Sequence, residues 1–475
     1  MANLRAHVVP AERRRGMVLV CDGYRYQKNK TIAGTKIYWR CSVPACRVPI
    51  QTNDFDPDEE VIVLGNQFPE HAHHPDNERL DRFDFLREVK SIIRRDPSIP
   101  TRRAYDQVFA ILPIHDRINV PMFEEIRSSL QRCRASLLPA LPRNIAEVNI
   151  QGTWAESWEG DRKLLAINND IGVAIFASRQ ELQILGQCNE VYIDGTFHTA
   201  PTPYTQIVTL HGRYRGWVLA LGMCMVTGKR EDQYRYILQE IKRGVLDVTE
   251  APFTPHMVIT DFEVGLMNAI GTELPNARRR GCYFHFCQSL WRKVAELGLK
   301  VAFNVDPLLQ RVVGRILSLG HLPVAHVAMN FQTYTNSRHV QEMVQQYPAL
   351  RTFFAYVEQT YVNGPVFSVH FWNVYNRTME TRTNNYCEAF HNRWNKCLAV
   401  PHPNIWRVIR RIKDEGSRTL NVLQRVERGD RLPRRRRKWR ELERRITRVR
   451  REFERGERNL ISLWNAAVHF SKTYI

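Results

Sequence analysis

Long apolar runs are what this sequence lacks first. No stretch approaches the roughly 20 residues that a membrane-spanning helix needs. The longest, WVLALGMCMV at 217–226, is interrupted by Gly222 and reads as a strand. No lipidation signal is present either. The opening MANLRAHVVP has no apolar core of a secretory signal, so the chain is expected to start in the cytosol. Cysteine is scarce, 10 in 475 residues, which is too sparse for a disulfide scaffold. Two of the ten fall at metal-ligand spacing, and the two facts together predict a reducing compartment. Acidic charge is also short, with 49 Asp and Glu against 69 Lys and Arg, leaving +20 and a pI near 9.7. Such an excess favours a polyanionic partner through counterion release, nucleic acid ahead of an anionic membrane. What is plentiful is apolar side chain, 43% with 10% aromatic. That content excludes general disorder, and the length predicts two to four domains, each with its own core.

Residues 1–17 are polar and basic and read as a loose arm. Over 18–76 the pattern turns to short β-prone pieces, VLVCDGYRYQKNK, KIYWRC and VIVLGNQF, with a turn at Gly34. Within them Cys41 and Cys46 form a C-x4-C pair, and His71 and His73 an H-x-H pair with His74 adjacent. Two thiolates and two imidazoles are the ligand set of a closed, tetrahedral structural zinc site, and so small a segment needs such a staple. Tyr38 and Trp39, just before Cys41, are placed to pack over the metal. The plainer reading is two unrelated cysteines and a surface histidine cluster. With Tyr24, Tyr26, Gly34, YWRC and the closing H-A-H, the segment resembles the FLYWCH zinc finger family over about sixty residues. The resemblance implies Cys41, Cys46, His71 and His73 as zinc ligands, with His74 an open alternative, and a role in binding DNA or protein. Arg25, Lys28, Lys30, Lys36, Arg40 and Arg47 supply charge suited to phosphate contacts.

From 81 to 143 the period becomes helical. FDFLREVKSIIRR stops at Asp96-Pro97, Thr101 caps RRAYDQVFAIL, and FEEIRSSLQRCRASL follows. Three short helices with basic faces fit a helix-turn-helix DNA reader or, equally, a linker bundle. Pro139 and Pro142 mark a boundary.

Beyond it, LLAIN and IGVAIFAS are β-prone and RQELQIL is a short amphipathic helix. In VYIDGTF, at 191–197, the β formers Tyr192 and Ile193 put Asp194 where a buried strand emerges into a turn. Alone, an Asp-Gly after a strand is a turn signal. Two strand runs follow, YTQIVTLHGRY and WVLALGMCMVT, then a helix over 230–245 with Tyr234, Ile237, Leu238 and Ile241 on one face. HMVITD ends on Asp261, with Glu263 close behind and read as solvated or structural. Strand, strand, strand, helix, strand, helix is an α/β order with both acids at C-terminal strand ends. GCYFHFCQSLWRKV then carries Cys282 and His285 as a C-x2-H pair at the start of a helix. TRTNNYCEAFHNRWN places Glu388 on a helix marked by Phe390, Trp394 and Leu398. Acids from two strand ends and one late helix can converge on a pair of divalent metals.

D-G-T-F, T-D-F-E, C-x2-H and T-N-N-x-x-E, in this order over about 191–410, resemble the Mutator-like element (MULE) transposase domain. The resemblance implies an RNase H-like core whose DDE triad is Asp194, Asp261 and Glu388, with a helical insertion at 293–380. It further implies cut-and-paste transposition using two Mg²⁺ or Mn²⁺ ions, double-stranded DNA as partner at element ends and target, and a homodimer. The rivals are a domesticated zinc-finger DNA-binding protein that regulates transcription without cutting, and an RNase H-like nuclease without joining activity.

Cys282 and His285 have three open roles: binding a second metal with Cys287, Cys387 or His391, contacting DNA, or supporting the helix start. Trp291, Trp372, Trp394 and Trp406 are core-type residues, of which Trp372 alone is weighed as a wedge against unstacked DNA. After 416 the chain is a basic, helix-prone tail in which Glu441, Glu443, Glu452 and Glu454 permit i,i+4 pairs. Its run Arg434, Arg435, Arg436, Arg437 and Lys438 fits a nuclear localisation signal or a DNA-backbone contact, against the bland reading of a solvated face. The expected fold is therefore α/β and multidomain. It comprises a basic arm (1–17), a zinc-stapled β domain (18–76), a helical segment (81–143), an RNase H-like core (145–292 and 381–415) interrupted by the insertion (293–380), and a basic helical tail (416–475).

Overall fold

A hairpin marks the start of the first element. Asp22 and Gly23 both take positive φ, 49° and 80°, the backbone that a two-residue Asp-Gly turn requires. They join strands β2 (Met17–Cys21) and β3 (Tyr24–Ile32). With β1 (Arg5–Pro10), β4 (Lys36–Cys41), β5 (Pro49–Asn53) and β6 (Glu60–Leu64), these strands close into a barrel in which β1 pairs antiparallel with both β2 and β6. The structure, a computed structural model, describes residues 5–10, 17–32, 36–53, 60–64, 69–75, 77–97, 99–383, 385–430 and 437–471. Gly34, the expected turn, lies outside them. The chain divides into two units, Met1–Ala140 and Leu141–Ile475.

In the first unit, the expectation of a loose arm gives way at β1. Ala6 and Val8 alternate inward into a core of Leu19, Tyr26, Ile37 and Trp39, so a short HVV run that is weak by itself is ordered by closing the barrel. Trp39 is fully buried and donates to the Thr52 hydroxyl at 2.9 Å. The helical period yields Asn77–Arg95, Thr101–Ile111 and Phe123–Ala135, packed through Val89, Ile93, Ala104 and Leu130.

The second unit is built on a seven-stranded sheet of β7 (Leu164–Asn168), β8 (Val173–Phe176), β9 (Glu190–Thr196), β10 (Gln206–Tyr214), β11 (Trp217–Val226), β12 (Met257–Thr260) and β13 (Arg278–Gly281). The spatial order is β13-β12-β9-β10-β11-β8-β7. β9, β10 and β11 form an antiparallel meander, while β12 and β13 run parallel to β9 on its other side. Helices Arg179–Gly186, Glu231–Thr249 and Val264–Glu273 bury Leu182, Ile237, Ile241 and Ile270 against Val191, Ile193, Val208 and Val258 on one face. Because strand side chains alternate, Tyr192, Asp194, Thr209, His211 and Ile259 face the other way. Helix Asn385–Leu398 packs on that second face, setting Cys387 against Tyr192 and Ile259.

The region after 416 is no free tail. Ile405–Glu427 is one helix running through position 416, where Gly416 lets it approach Lys163 and Glu181: a Cβ there would come within 3.0 Å of the Lys163 Nζ. Its Leu423 and Val426 join the sheet core. The last two helices, Arg437–Glu454 and Leu460–Ser471, insert Ile446, Val449, Leu463, Trp464 and Phe470 into the apolar core formed by helix Tyr283–Glu296 and the helices over 300–357. A strongly basic composition hid this, since one apolar stripe suffices to dock a helix whose other face is charged. Arg434, Arg435 and Arg436 lie outside the described residues. Among the described residues, no helix is long and apolar enough to cross a membrane.

Trp464 is 3% exposed and donates to the Arg315 carbonyl and the Ser318 hydroxyl, both at 3.0 Å. Trp464→Ala is expected to cost about 3–5 kcal/mol in denaturant unfolding. A solvated tail would leave the midpoint unchanged.

Candidate metal centres

Each unit brings ligand-type side chains together, as a tight Cys/His cluster in the first and as more widely set acids in the second. In the first, β4 ends on Cys41, the turn after it carries Cys46, and residues 71–73 return both histidines to the same spot. One ligand atom from each of Cys41, Cys46, His71 and His73 lies within 4.8 Å of all the others. The Cys41 Sγ is 3.2 Å from His73 Nε2, and the Cys46 Sγ is 3.3 Å from His71 Nδ1. Donors about 2.0–2.3 Å from a tetrahedral zinc ion stand about 3.5 Å apart, so this set fits that ion.

The remaining ring nitrogens are held from outside. The His71 Nε2 is 2.7 Å from the Tyr26 hydroxyl, and His73 Nδ1 is 2.8 Å from the His74 carbonyl oxygen. Such partners fix ring orientation at metal sites. His74 contributes through its backbone and stands outside the cluster. Tyr24 stacks on His71 at 3.7 Å, so the aromatic cover comes from Tyr24 and Tyr26. Tyr38 and Trp39, expected in that role, do not supply it: Trp39 turns into the barrel. Burial pushes the Cys41 thiol up. Burial acts the same way on Cys46, but hydrogen bonds from the Val48 and Ala72 backbone outweigh it and hold that thiol below its ordinary value.

In the second unit, Asp194 lies within β9, two residues before its end, and Asp261 follows directly after β12. The register Ile193↔Thr260 makes the two acids successive neighbours on adjacent parallel strands. Gly195 beside Asp194 leaves room for the Gln206 amide: a Cβ there would meet its Nε2 at 2.0 Å and displace that side chain. Asp194 is 4% exposed, and its carboxyl is raised well above the carboxylate range, by burial first and then by the charges of Asp261, Glu388 and Glu263. Asp261 is pushed up to about 7 by burial and then by Glu263, against the downward pull of Lys229. Burial takes Glu388 to about 7. The Asp261 Oδ1 and Glu388 Oε1 are buried with no hydrogen-bond partner. Unpartnered carboxylate oxygens in a low-dielectric, like-charged site fit a divalent cation. The three acids are not drawn as close as the Cys/His set, which is the only such tight group of three or more ligands among the described residues.

Helix Asn385–Leu398 brings more than Glu388 to this site. One turn on, His391 Nδ1 lies 3.6 Å from Asp194 Oδ2, and its Nε2 is 3.2 Å from the Thr209 hydroxyl. Burial lowers His391 to about 4, so the neutral imidazole faces Asp194. His211, pushed down to about 3 by burial, sits 3.4 Å from the Cys387 Sγ. Thr209 and His211 escaped the sequence reading. Their signal was two polar residues at a spacing of two, on one face of a strand whose opposite face carries Val208 and Leu210. Glu263, read from the sequence as solvated or structural, accepts from Tyr234 at 2.5 Å and pairs with Lys229 at 3.5 Å. The Lys229 ammonium also covers the Phe197 ring at 4.3 Å.

Cys282 caps helix Tyr283–Glu296, its N–H donating to the Thr260 carbonyl beside Asp261 at 2.8 Å. His285 is lowered to about 4 by burial, and its Nδ1 is buried without a hydrogen-bond partner. Cys287 belongs to the separate apolar core under that helix, and no second tight metal cluster forms among the described residues. Trp372 is fully buried, stacked on Phe286 at 4.6 Å and donating to the Tyr361 carbonyl, which removes it as a wedge. Trp394 and Trp406 are buried as expected, and Trp291 is packed against the core.

Two outcomes follow. Cys41→Ser with Cys46→Ser should abolish one equivalent of bound zinc, measured by elemental analysis, and unfold the barrel, seen as loss of its cooperative melt. The raised carboxyls mean that the folded chain holds protons more tightly than the unfolded chain. Without added Mg²⁺ or Mn²⁺, the stability contributed by these three acids is therefore full near pH 4 and falls as pH rises through about 7, while the lowered His211, His285 and His391 contribute the opposite slope. Asp261→Asn should flatten this fall and stabilise the protein at pH 8 by about 2 kcal/mol, read from denaturant midpoints.

Comparison with known families adds the names. No curated protein matches the chain. Residues 11–73 match the FLYWCH zinc finger domain, a stretch that contains all four Cys/His ligands and ends on His73. Residues 190–289 match the MULE transposase domain, taking in Asp194, Asp261, Cys282 and His285 and ending before Glu388. The chain thus carries a FLYWCH zinc finger domain followed by a MULE transposase domain.

Proposed function

We propose that this protein is a DNA transposase of the DDE type, cutting and joining DNA ends at Asp194, Asp261 and Glu388. The observation that supports the reading is the parallel register that sets Asp194 beside Asp261, with helix Asn385–Leu398, which carries Glu388, packed on the same face of the sheet through Cys387. A meander whose first strand is flanked by two parallel strands is the arrangement of an RNase H-like core, and it supports that fold for residues 164–281 with helix Asn385–Leu398.

In this reading Asp194, Asp261 and Glu388 would hold two divalent cations, Mg²⁺ or Mn²⁺. When bound, these supply an activated water or 3′-hydroxyl and stabilise the leaving oxygen. Acids that share two ions have no need to crowd as closely as four donors on one. The protein's own part is positioning. Thr209 and neutral His391 fix the inner side of Asp194, Gly195 leaves room for Gln206, and Lys229 offsets the charge of Asp261 and Glu263. Cys41, Cys46, His71 and His73 hold a structural zinc ion. The exposed Lys28, Lys30, Lys36 and Arg40 on β3 and β4 offer phosphate contacts on DNA ends. The three helices over 77–135 add to that recognition. We place the protein in the nucleus, as a homodimer, because two DNA ends must be handled together.

The test is Mg²⁺- or Mn²⁺-dependent cleavage and joining of a DNA end, comparing wild type with Asp194→Ala, Asp261→Ala and Glu388→Ala. Each substitution should lower the rate at least about 10³-fold, with DNA binding retained and Mn²⁺ binding by calorimetry weakened. Cleavage that survives Asp194→Ala would overturn the reading. Wild-type binding with no cleavage would transfer the protein to the non-catalytic DNA-binding class.

A further inference from the structure

Helix Arg437–Glu454 has an apolar stripe, Ile446 and Val449 with Leu442 and Phe453 alongside, that is occupied by the core it packs on. The opposite face is arginine. Arg440, Arg444, Arg448, Arg451 and Arg455 recur every three or four residues, all exposed, and line a groove of about 560 Å³. Helical spacing of three and four puts such residues on one side. At 1.5 Å per residue the row runs about 22 Å, the length of about six base pairs at 3.4 Å each.

The charge on this face is answered only in part: Arg455 pairs with Glu457 at 3.0 Å, and Glu441, held by Arg437, draws on Arg440 and Arg444 without an ion-pair contact to either. Arg440, Arg444 and Arg451 have no ion-pair partner among the described residues, and Arg448 reaches Glu452 only at 3.6 Å, an acid that Arg458 already holds at 2.8 Å. Glu443, the acid in the groove lining, accepts at 3.0 Å from Arg382, which is 2% exposed, so its charge is matched from inside the protein. Arg382 lies six residues before Glu388, and it donates also to the Arg377 carbonyl at 3.2 Å. The element carrying the arginine row therefore braces the segment that leads into the third acid.

We infer that this arginine face is a binding track for the phosphate backbone of duplex DNA, independent of sequence. It belongs to a different stretch of chain from the zinc finger. An anionic membrane is the poorer partner, because the helix has no free apolar face to bury in lipid. The choice of DNA among polyanions rests on the DNA-processing reading above. Guanidinium groups suit the role through paired N–H donors that match phosphate oxygens.

The experiment is a salt titration of full-length protein on a linear duplex of arbitrary sequence, without added Mg²⁺ or Mn²⁺, so that it reads binding and is blind to cleavage. The triple variant Arg440→Gln, Arg444→Gln, Arg451→Gln should lower the slope of log affinity against log salt by nearly three, about 0.9 per phosphate contact. At 0.1 M salt it should weaken binding about tenfold or more. The same three positions as Lys should restore most of the slope. A control triple on exposed residues elsewhere, Lys300→Gln, Arg311→Gln, Arg351→Gln, should leave it near wild type. An unchanged slope in the first triple, or an equal fall in both triples, overturns the track. So does a loss confined to duplex RNA or to anionic vesicles. A failed cleavage assay with this slope change intact would sink the catalytic reading and spare the track.

Discussion

Like charges held side by side out of water are the constraint on which the second unit depends. Parallel pairing of β9 and β12 makes Asp194 and Asp261 neighbours, and helix Asn385–Leu398 adds Glu388 to the same buried face. Such an arrangement is costly in a low-dielectric interior and persists only if the surrounding structure enforces it. The enforcement is visible. Helix Glu231–Thr249 makes the crossover that parallel strands require. Cys282 ties the start of the next helix to the end of β12. Arg377 donates to the Gly281 carbonyl, and Arg382 binds Glu443 from the penultimate helix. The C-terminal helices thus help to hold the approach to the third acid, a role that their basic composition does not announce.

The first unit solves a different problem. Its barrel is closed by six short strands around few large side chains, chiefly Tyr26 and Trp39. A core that small gains most from a cross-link, and the four Cys/His donors are placed to supply one between β4 and the chain over 71–73 when they hold a metal ion. Tyr26 serves both purposes, its ring in the barrel core and its hydroxyl on His71. Core and metal site are therefore parts of one cooperative element.

The surplus of positive charge divides into two kinds. Some arginines are structural: Arg377 is deeply buried, and its guanidinium is lowered to about 9 by that burial and by Arg280, while Arg382 is all but inaccessible. Others, such as Arg40 on β4 or Arg440, Arg444 and Arg451 along Arg437–Glu454, face solvent, and these last three make no ion pair among the described residues. Net charge alone counts both, and only the second kind can release counterions.

By itself the sequence determined the ligand types at C-x4-C and H-x-H, the strand runs ending near Asp194 and Asp261, and the helical periods on either side of them. These are local signals, set by spacing and by a side-chain period of two or 3.6. It also made Glu388 a candidate. Only the tertiary structure decided the rest. Closing the barrel turned Arg5–Pro10 from an arm into a strand, and rotated Trp39 inward so that Tyr24 and Tyr26 cover the histidines. Docking of an apolar stripe against a distant core turned the basic tail into a structural brace. Packing likewise buried Trp372, brought Thr209 and His391 to Asp194, and set His211 against Cys387, from strand and helix almost two hundred residues apart. Each of these outcomes depends on which surface meets which across the chain, and that information is carried by no single segment.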